Sequence, residues 1–181
     1  MNANVIRSGF REICEIALMA AVMAVCSWIS IPTTVPFTLQ TFGVFMAVRL
    51  LGGRNGTIAI MLYLLVGLVG MPVFAGFSGG ASALIGPTGG YLIGFLFISG
   101  LYWALEKHLT RWLLKDITLY AGLLLCYAAG TAWFMYATGN ALLTSLTWCV
   151  LPFLLPDAGK LILSELAASQ LERALRLRRT R

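Results

Sequence analysis

Hydrophobic residues run through this chain in long blocks, and polar residues fall between the blocks rather than alternating within them. Six blocks stand out, at about 13–31, 37–51, 57–73, 85–105, 117–138 and 146–171. A helix needs about 20 mostly apolar residues to cross a bilayer, with a range of about 17–25. The pattern therefore predicts six transmembrane helices in one compact bundle over residues 1–181, with no soluble domain, linker or internal repeat. The second block is short: either it begins within the turn at 32–36 or it does not cross fully. Without a repeat, a self-contained transporter of the inverted-repeat kind is disfavoured.

Charge orients the blocks. The segments 32–36, 71–86 and 139–145 contain no Lys, Arg, Asp or Glu. The other side collects Arg7, Arg11, Arg49, Arg54, Lys107, Arg111, Lys115 and an Arg-rich end. By the positive-inside rule both termini are cytoplasmic, which requires an even number of spans. Trp28, Tyr136 and Trp148 then fall at the outer interface, and Tyr102, Trp103, Trp112 and Tyr120 at the inner one.

Composition agrees. Only 11% of residues are charged and 59% are hydrophobic, whereas a soluble domain carries about 25% charged residues. The chain reads as an all-α membrane protein with the lipid bilayer as its solvent. The net charge of +6 does not imply nucleic acid. Arg173, Arg176, Arg178, Arg179 and Arg181 form a basic end that suits anionic lipid at the cytoplasmic face. Cys14, Cys26, Cys126 and Cys149 have no CxxC spacing and read as buried thiols rather than a metal site or disulfides. The first block lacks a small-x-small cleavage site and is followed by further spans, so it reads as a span and not a signal peptide.

Of the 13 basic residues, only Lys160 lies inside an apolar block, three residues after Asp157. Ionisable groups at membrane depth are costly and mark substrate or ion sites. Spaced i and i+3, the two share a helix face. Counting from the outer end near Leu146, Asp157 lies roughly 15 Å into the helix at about 1.5 Å per residue. Together they offer an ammonium for an anionic group and a carboxylate for N–H donors; the alternative is a structural ion pair. Pro152 and Pro156 loosen the turns just before them.

Three further features carry candidate chemistry. The uncharged segment 71–91, MPVFAGFSGGASALIGPTGGY, holds six glycines and two prolines. It reads as a folded lid whose backbone approaches a solute, since long ordered loops are usually functional. In IPTTVPFTLQTF, Thr38, Gln40 and Thr41 are polar groups near the outer end of an apolar helix; Gln40 suits a ligand amide or a helix–helix hydrogen bond. In the first block, Ala17/Ala21 and Ala20/Ala24 form two small-xxx-small pairs, suited to internal packing or to docking another membrane protein. No phosphate-binding GxxxxGK[ST] occurs, because Gly159-Lys160 is followed by Leu161. His108 is the single histidine and sits in a charged inner loop, so neither a metal centre nor a Ser–His dyad is supported. No catalytic residue, metal or cofactor is assigned, and the chain is not read as an enzyme.

Together IPTTVPFTLQTF, the Gly-rich MPVFAGFSGGASALIGPTGGYLIGF and the late PDAGK resemble the BioY family over about 13–171. That family is the biotin-specific substrate-binding S component of energy-coupling-factor (ECF) transporters. The resemblance implies a six-helix S-component fold with an outward biotin pocket capped by the first and third loops. It implies partnership with a membrane T component and two cytoplasmic ATPase subunits in a bacterial or archaeal plasma membrane. The S component would topple in the membrane to release the vitamin inside. By resemblance, Asp157 and Lys160 match the polar ligand pair, Gln40 with Thr41 match the second-helix motif, and 86–91, with Gly86, Thr88, Gly90 and Tyr91, match the lid and pocket wall. Some members carry Asn or Arg in the lid. This chain has neither between Met71 and Tyr91, and Ser78, Thr88 or Tyr91 is the candidate to stand in. The Ala-rich first helix, with Ala17, Ala20, Ala21 and Ala24, would face the T component. Two alternatives stand beside this reading: an S component for another small vitamin, and a membrane scaffold with a structural Asp–Lys pair.

Overall fold

The computed structural model describes residues 3–33 and 35–179, with side chains for 9–33 and 35–174. Arg7, Arg176, Arg178, Arg179 and Arg181 fall outside the described side chains. The architecture is all-α apart from one two-residue pairing. Helix α1 (Ala3–Trp28) leads into the antiparallel strands β1 (Ser30–Ile31) and β2 (Phe37–Thr38), which close the first loop. Helix α2 (Gln40–Leu68) follows, then a 3-10 turn (Ala75–Phe77), the short α3 (Ala81–Ile85) and α4 (Gly89–Leu105). After a second 3-10 turn come α5 (Trp112–Thr138), α6 (Leu142–Cys149) and α7 (Leu151–Arg179).

Helix α2 is two abutting helices folded into a hairpin. Gln40 and Tyr63 would be about 34 Å apart on a straight helix at 1.5 Å per residue. Instead their side chains are hydrogen-bonded at 2.6 Å. The reversal is at Gly52, whose φ of 79° an L side chain rarely adopts. Glu106 secures it by accepting the Gly53 N–H at 3.0 Å. The second and third blocks of the sequence are thus the two arms of this hairpin, 40–51 and 53–68. The short second block is explained as well, because its chain starts only after the β1–β2 turn.

The hairpin packs on α1, α4 and α7, and α4 packs along α5. Val44, Phe45, Val48, Ala59, Ile60 and Ile98 are fully enclosed at this centre. Outward faces are apolar too: Ile13, Leu18, Leu65, Leu124 and Leu163 are exposed, as expected where hydrocarbon replaces water. By length and composition four helical stretches, Gln40–Leu68, Gly89–His108, Trp112–Thr138 and Leu142–Ala174, suffice to cross a membrane, the first of them only when both arms of its hairpin are counted together.

Several placements differ from the sequence reading. Ala20 and Ala24 are buried against the bundle, whereas Ala17 and Ala21 are exposed. A three-residue step turns an α-helix by about 300°, so the two pairs straddle the edge of the packed face, and Ala20 and Ala24 are not available to a partner. Cys14 is exposed rather than buried, and Tyr102 is buried in the bundle rather than lying in an interfacial belt. Arg49 is also buried, where it pairs with Asp116 of α5 and Glu165 of α7. It is an internal tie between helices rather than a loop charge.

Candidate binding cavity

A cavity of about 330 Å³ opens at the end of the bundle where the three uncharged loops lie. That falls within the roughly 300–1,000 Å³ of small-molecule sites. Its rim is formed by exposed residues of the first and third loops, Thr33, Ser78 and Pro87. Its walls are Phe74 from the third loop, Tyr91, Leu92 and Phe95 from α4, Leu123, Cys126 and Tyr127 from α5, and Cys149 and Phe153. Thr38, Gln40 and Thr41 come from the start of the α2 hairpin, and Asp157 and Lys160 from α7.

Local chemistry brings α7 to this point. Val150 leaves helical geometry (φ −123°, ψ −58°) and separates α6 from α7. Pro152 is tolerated in the first turn of α7. Pro156, inside the helix, has no N–H to donate to the carbonyl four residues back. One residue later comes Asp157.

Asp157 is 1% exposed and Lys160 5%. Lys160 Nζ donates to Asp157 Oδ1 at 2.6 Å and to the Thr38 carbonyl at 2.6 Å, and lies 4.3 Å from the centroid of the Phe37 ring. Thr41 Oγ1 donates to Asp157 Oδ1 at 2.9 Å, and Tyr127 OH donates to Oδ2 at 2.5 Å. A carboxylate has about four acceptor positions and an ammonium three donors. This cluster therefore keeps one acceptor on Asp157 and one hydrogen on Lys160 without a protein partner among the described residues. Each charge is neutralised by the other, which offsets a desolvation cost of several kcal/mol per ion. Because Lys160 is committed in this way, it is not a free cation for a ligand anion. No other basic side chain lines the cavity among the described residues.

The remaining predicted residues divide. Gln40 lines the cavity and donates Nε2 to Tyr63 OH at 2.6 Å. Tyr91 lines it with its hydroxyl 2.9 Å from Thr131 Oγ1. Ser78 and Thr88 lie at or near the rim. Gly86 and Gly90 do not line it. The Gly86 carbonyl accepts from Trp133 Nε1 at 2.9 Å. A Cβ on Gly90 would lie 2.3 Å from Trp133 Cβ, so Gly90 lets α4 approach α5. Tyr91, Leu92 and Phe95 take the cavity face of α4, and helical periodicity turns Gly90 away from it.

Sequence reasoning missed Tyr127, the Thr38 carbonyl, the aromatic walls Phe74, Phe95 and Phe153, and Phe37, which stacks behind the wall on Phe153 and Lys160. Tyr127 is one polar handle in the apolar run LLLCYAAG, and a buried tyrosine hydroxyl usually finds a partner. That was the available signal.

Comparison with known proteins places this architecture. The chain is 39% identical over 167 residues to the biotin transporter BioY of Thermotoga maritima, covering 90% of this chain and 96% of that protein. It is 38% identical over 162 residues to the biotin transporter BioY2 of Lactococcus lactis subsp. cremoris, covering 88% and 89% respectively. Its fold matches a crystal structure of the S-component for biotin from an ECF-type ABC transporter. The TM-score is 0.85 at 31% identity, over 96% of this chain and 95% of that one. The bundle is thus the S-component fold of a multi-pass membrane protein. The BioY family model matches residues 1–177, and the chain belongs to that family.

Proposed function

We propose that this chain is the biotin-binding subunit of an ECF-type vitamin importer. The observation that carries the reading is a cavity beneath two loops, holding one buried and self-neutralised Asp–Lys pair, in a chain alike over nearly its whole length to biotin transporters. Biotin has two ureido N–H donors, a ureido carbonyl, an apolar thiophane ring and chain, and a carboxylate. Asp157 accepts a ureido N–H, and Lys160 holds that carboxylate in place while offering its remaining hydrogen. Phe74, Phe95 and Phe153 enclose the apolar part, and Tyr91 closes the wall. With Lys160 committed to Asp157, the ligand carboxylate is directed to the hydroxyl-bearing rim at Thr33, Ser78 and Thr88.

In this reading residues 1–181 form one integral membrane domain with six crossings: α1, the two arms of the α2 hairpin, α4, α5 and the α6–α7 run. Both termini are cytoplasmic and the cavity faces outward. The chain does not hydrolyse ATP itself but works with a membrane T component and two cytoplasmic ATPase subunits. Ala17 and Ala21, on the outward side of α1 beside Leu18 and Val25, are the face offered to the T component.

The test is biotin uptake in a host lacking its own biotin importer, with this chain co-expressed with a T component and ATPase pair. Biotin accumulation that excess thiamine or riboflavin does not compete supports the reading. Uptake competed by another vitamin reassigns the substrate, and a folded chain that supports no uptake and binds no biotin leaves the scaffold reading. Ala17→Leu should reduce uptake without reducing biotin binding. Ala20→Leu should instead lower stability, by roughly 1–3 kcal/mol for overpacking.

A further inference from the structure

Gln40 offers the cavity one of two opposite surfaces, an amide N–H₂ or an amide oxygen, and a residue outside the cavity decides which. The chain of hydrogen bonds runs one way. Tyr63, 1% exposed and absent from the cavity wall, donates its hydroxyl to the Val73 carbonyl at 3.0 Å. A carbonyl only accepts, and a phenol has one hydrogen. Once that hydrogen is spent on Val73, the Tyr63 oxygen acts towards Gln40 only as an acceptor. Gln40 must then turn Nε2 towards it, and the two atoms lie 2.6 Å apart. Ser27 Oγ lies 2.6 Å from the Val73 carbonyl and 2.8 Å from the Ala24 carbonyl, and its one hydrogen serves the two between them. The reversed amide would draw the Tyr63 hydrogen to Oε1 and leave the Val73 carbonyl only the Ser27 hydrogen that Ala24 also draws on. The observed order is therefore favoured by about tenfold, the scale of one net hydrogen bond. Gln40 Oε1 accepts nothing from the described residues, is not enclosed by protein and belongs to a residue lining the cavity.

We propose that Tyr63 is a specificity-determining residue: by holding the Gln40 amide with its oxygen towards the cavity, it makes this subsite select a ligand N–H and reject an acceptor. The proposal rests on the biotin reading only for the identity of that ligand; the orientation of the amide does not depend on it. The site then presents two acceptors, Gln40 Oε1 and Asp157, which suits a ligand with two N–H groups on one small ring.

Two measurements test this. The chain has two glutamines, Gln40 and the exposed Gln170, so selective ¹⁵N-glutamine labelling of the ligand-free protein gives two side-chain amide signals. Hydrogen exchange of one of them should be slowed about tenfold or more relative to the other, and Tyr63→Phe should remove that protection. Equal exchange of both amides in the wild type, or protection that survives Tyr63→Phe, overturns the proposal whether or not biotin binds. The second measurement compares biotin with its two analogues in which one or the other ureido N–H is replaced by a ring oxygen. The wild type should prefer biotin over at least one analogue by about a hundredfold or more, because a site built to pair an N–H is left unpaired without it. In Tyr63→Phe that ratio should fall about tenfold as the amide turns over, and Gln40→Leu, which leaves Tyr63 in place, should erase the same preference. An unchanged ratio in both variants overturns the proposal. A protected Gln40 amide in a protein that binds no biotin would remove the functional reading and leave the amide orientation standing.

Discussion

Two ionic clusters, one buried and one partly solvated, join the first arm of the α2 hairpin to α7. Thr41 meets Asp157, and eight residues further along both helices Arg49 meets Glu165; each pair is separated by 116 residues. An equal offset at two rungs means that the segments run parallel and in register over about 12 Å at 1.5 Å per residue. The outer rung has one cation and one anion, with Tyr127 from α5 as a further donor. The inner rung has one cation and two anions, the second being Asp116 from α5. Both involve the same three helices, and the cavity described above borders the outer one. Beside it the chain is interrupted, at Val150, at Pro156 and in the Gly-rich third loop, and the interruptions leave a space. Beside the inner rung the chain also turns, at Gly52, but there Glu106 closes the turn by accepting the Gly53 N–H. A buried ion pair therefore becomes a ligand site here because of the space next to it, not because of its charges.

The sharpest way to break this comparison is at its two ends. Lys160→Met should lower biotin affinity by about a hundredfold or more, since removing one partner of a buried pair costs roughly 3–5 kcal/mol and strands Asp157. Equilibrium binding measures it. Arg49→Met should do the opposite: it lowers the unfolding free energy in detergent by about 2–3 kcal/mol, given that Asp116 and Glu165 are partly solvated, while the folded protein keeps its biotin affinity within about threefold. Equal affinity losses in the two variants would dissolve the distinction. Tyr127→Phe, which takes one donor from Asp157, should reduce affinity about tenfold, the scale of a hydrogen bond to a charged group. Thr41→Val removes a weaker donor and should cost only a few-fold in affinity.

The comparison also marks where sequence was informative. The charge-free loops and the basic residues between the other blocks exposed the segmentation, because burying a charge in hydrocarbon is too costly to be scattered at random. Asp157 and Lys160 stood out for the same reason, and their spacing of three put them on one face without any tertiary knowledge. Tyr127 and the Thr38 carbonyl did not stand out. Their roles exist only once α5 and the end of β2 arrive beside α7, and a backbone carbonyl has no residue-type signature. The Gly-rich stretch misled in part: its glycines read as one lid, but α4 begins at Gly89, and from there helical periodicity sends Gly90 to the α5 contact. The alanines of α1 misled because two i, i+4 pairs set three apart look like one broad side in sequence and straddle a burial boundary in the fold. Arg49 passed for an inner-loop charge because its partners, Asp116 and Glu165, are distant in the chain.

The most direct test of the central claim is equilibrium binding of radiolabelled biotin to the purified, detergent-solubilised protein, with Asp157→Asn and Arg49→Met measured beside the wild type on equal amounts of folded protein. The structure predicts biotin-selective binding that Asp157→Asn weakens by about a hundredfold or more and Arg49→Met leaves within about threefold. Binding that Asp157→Asn does not change, or that Arg49→Met weakens as much, would contradict the placement of the site at the outer rung.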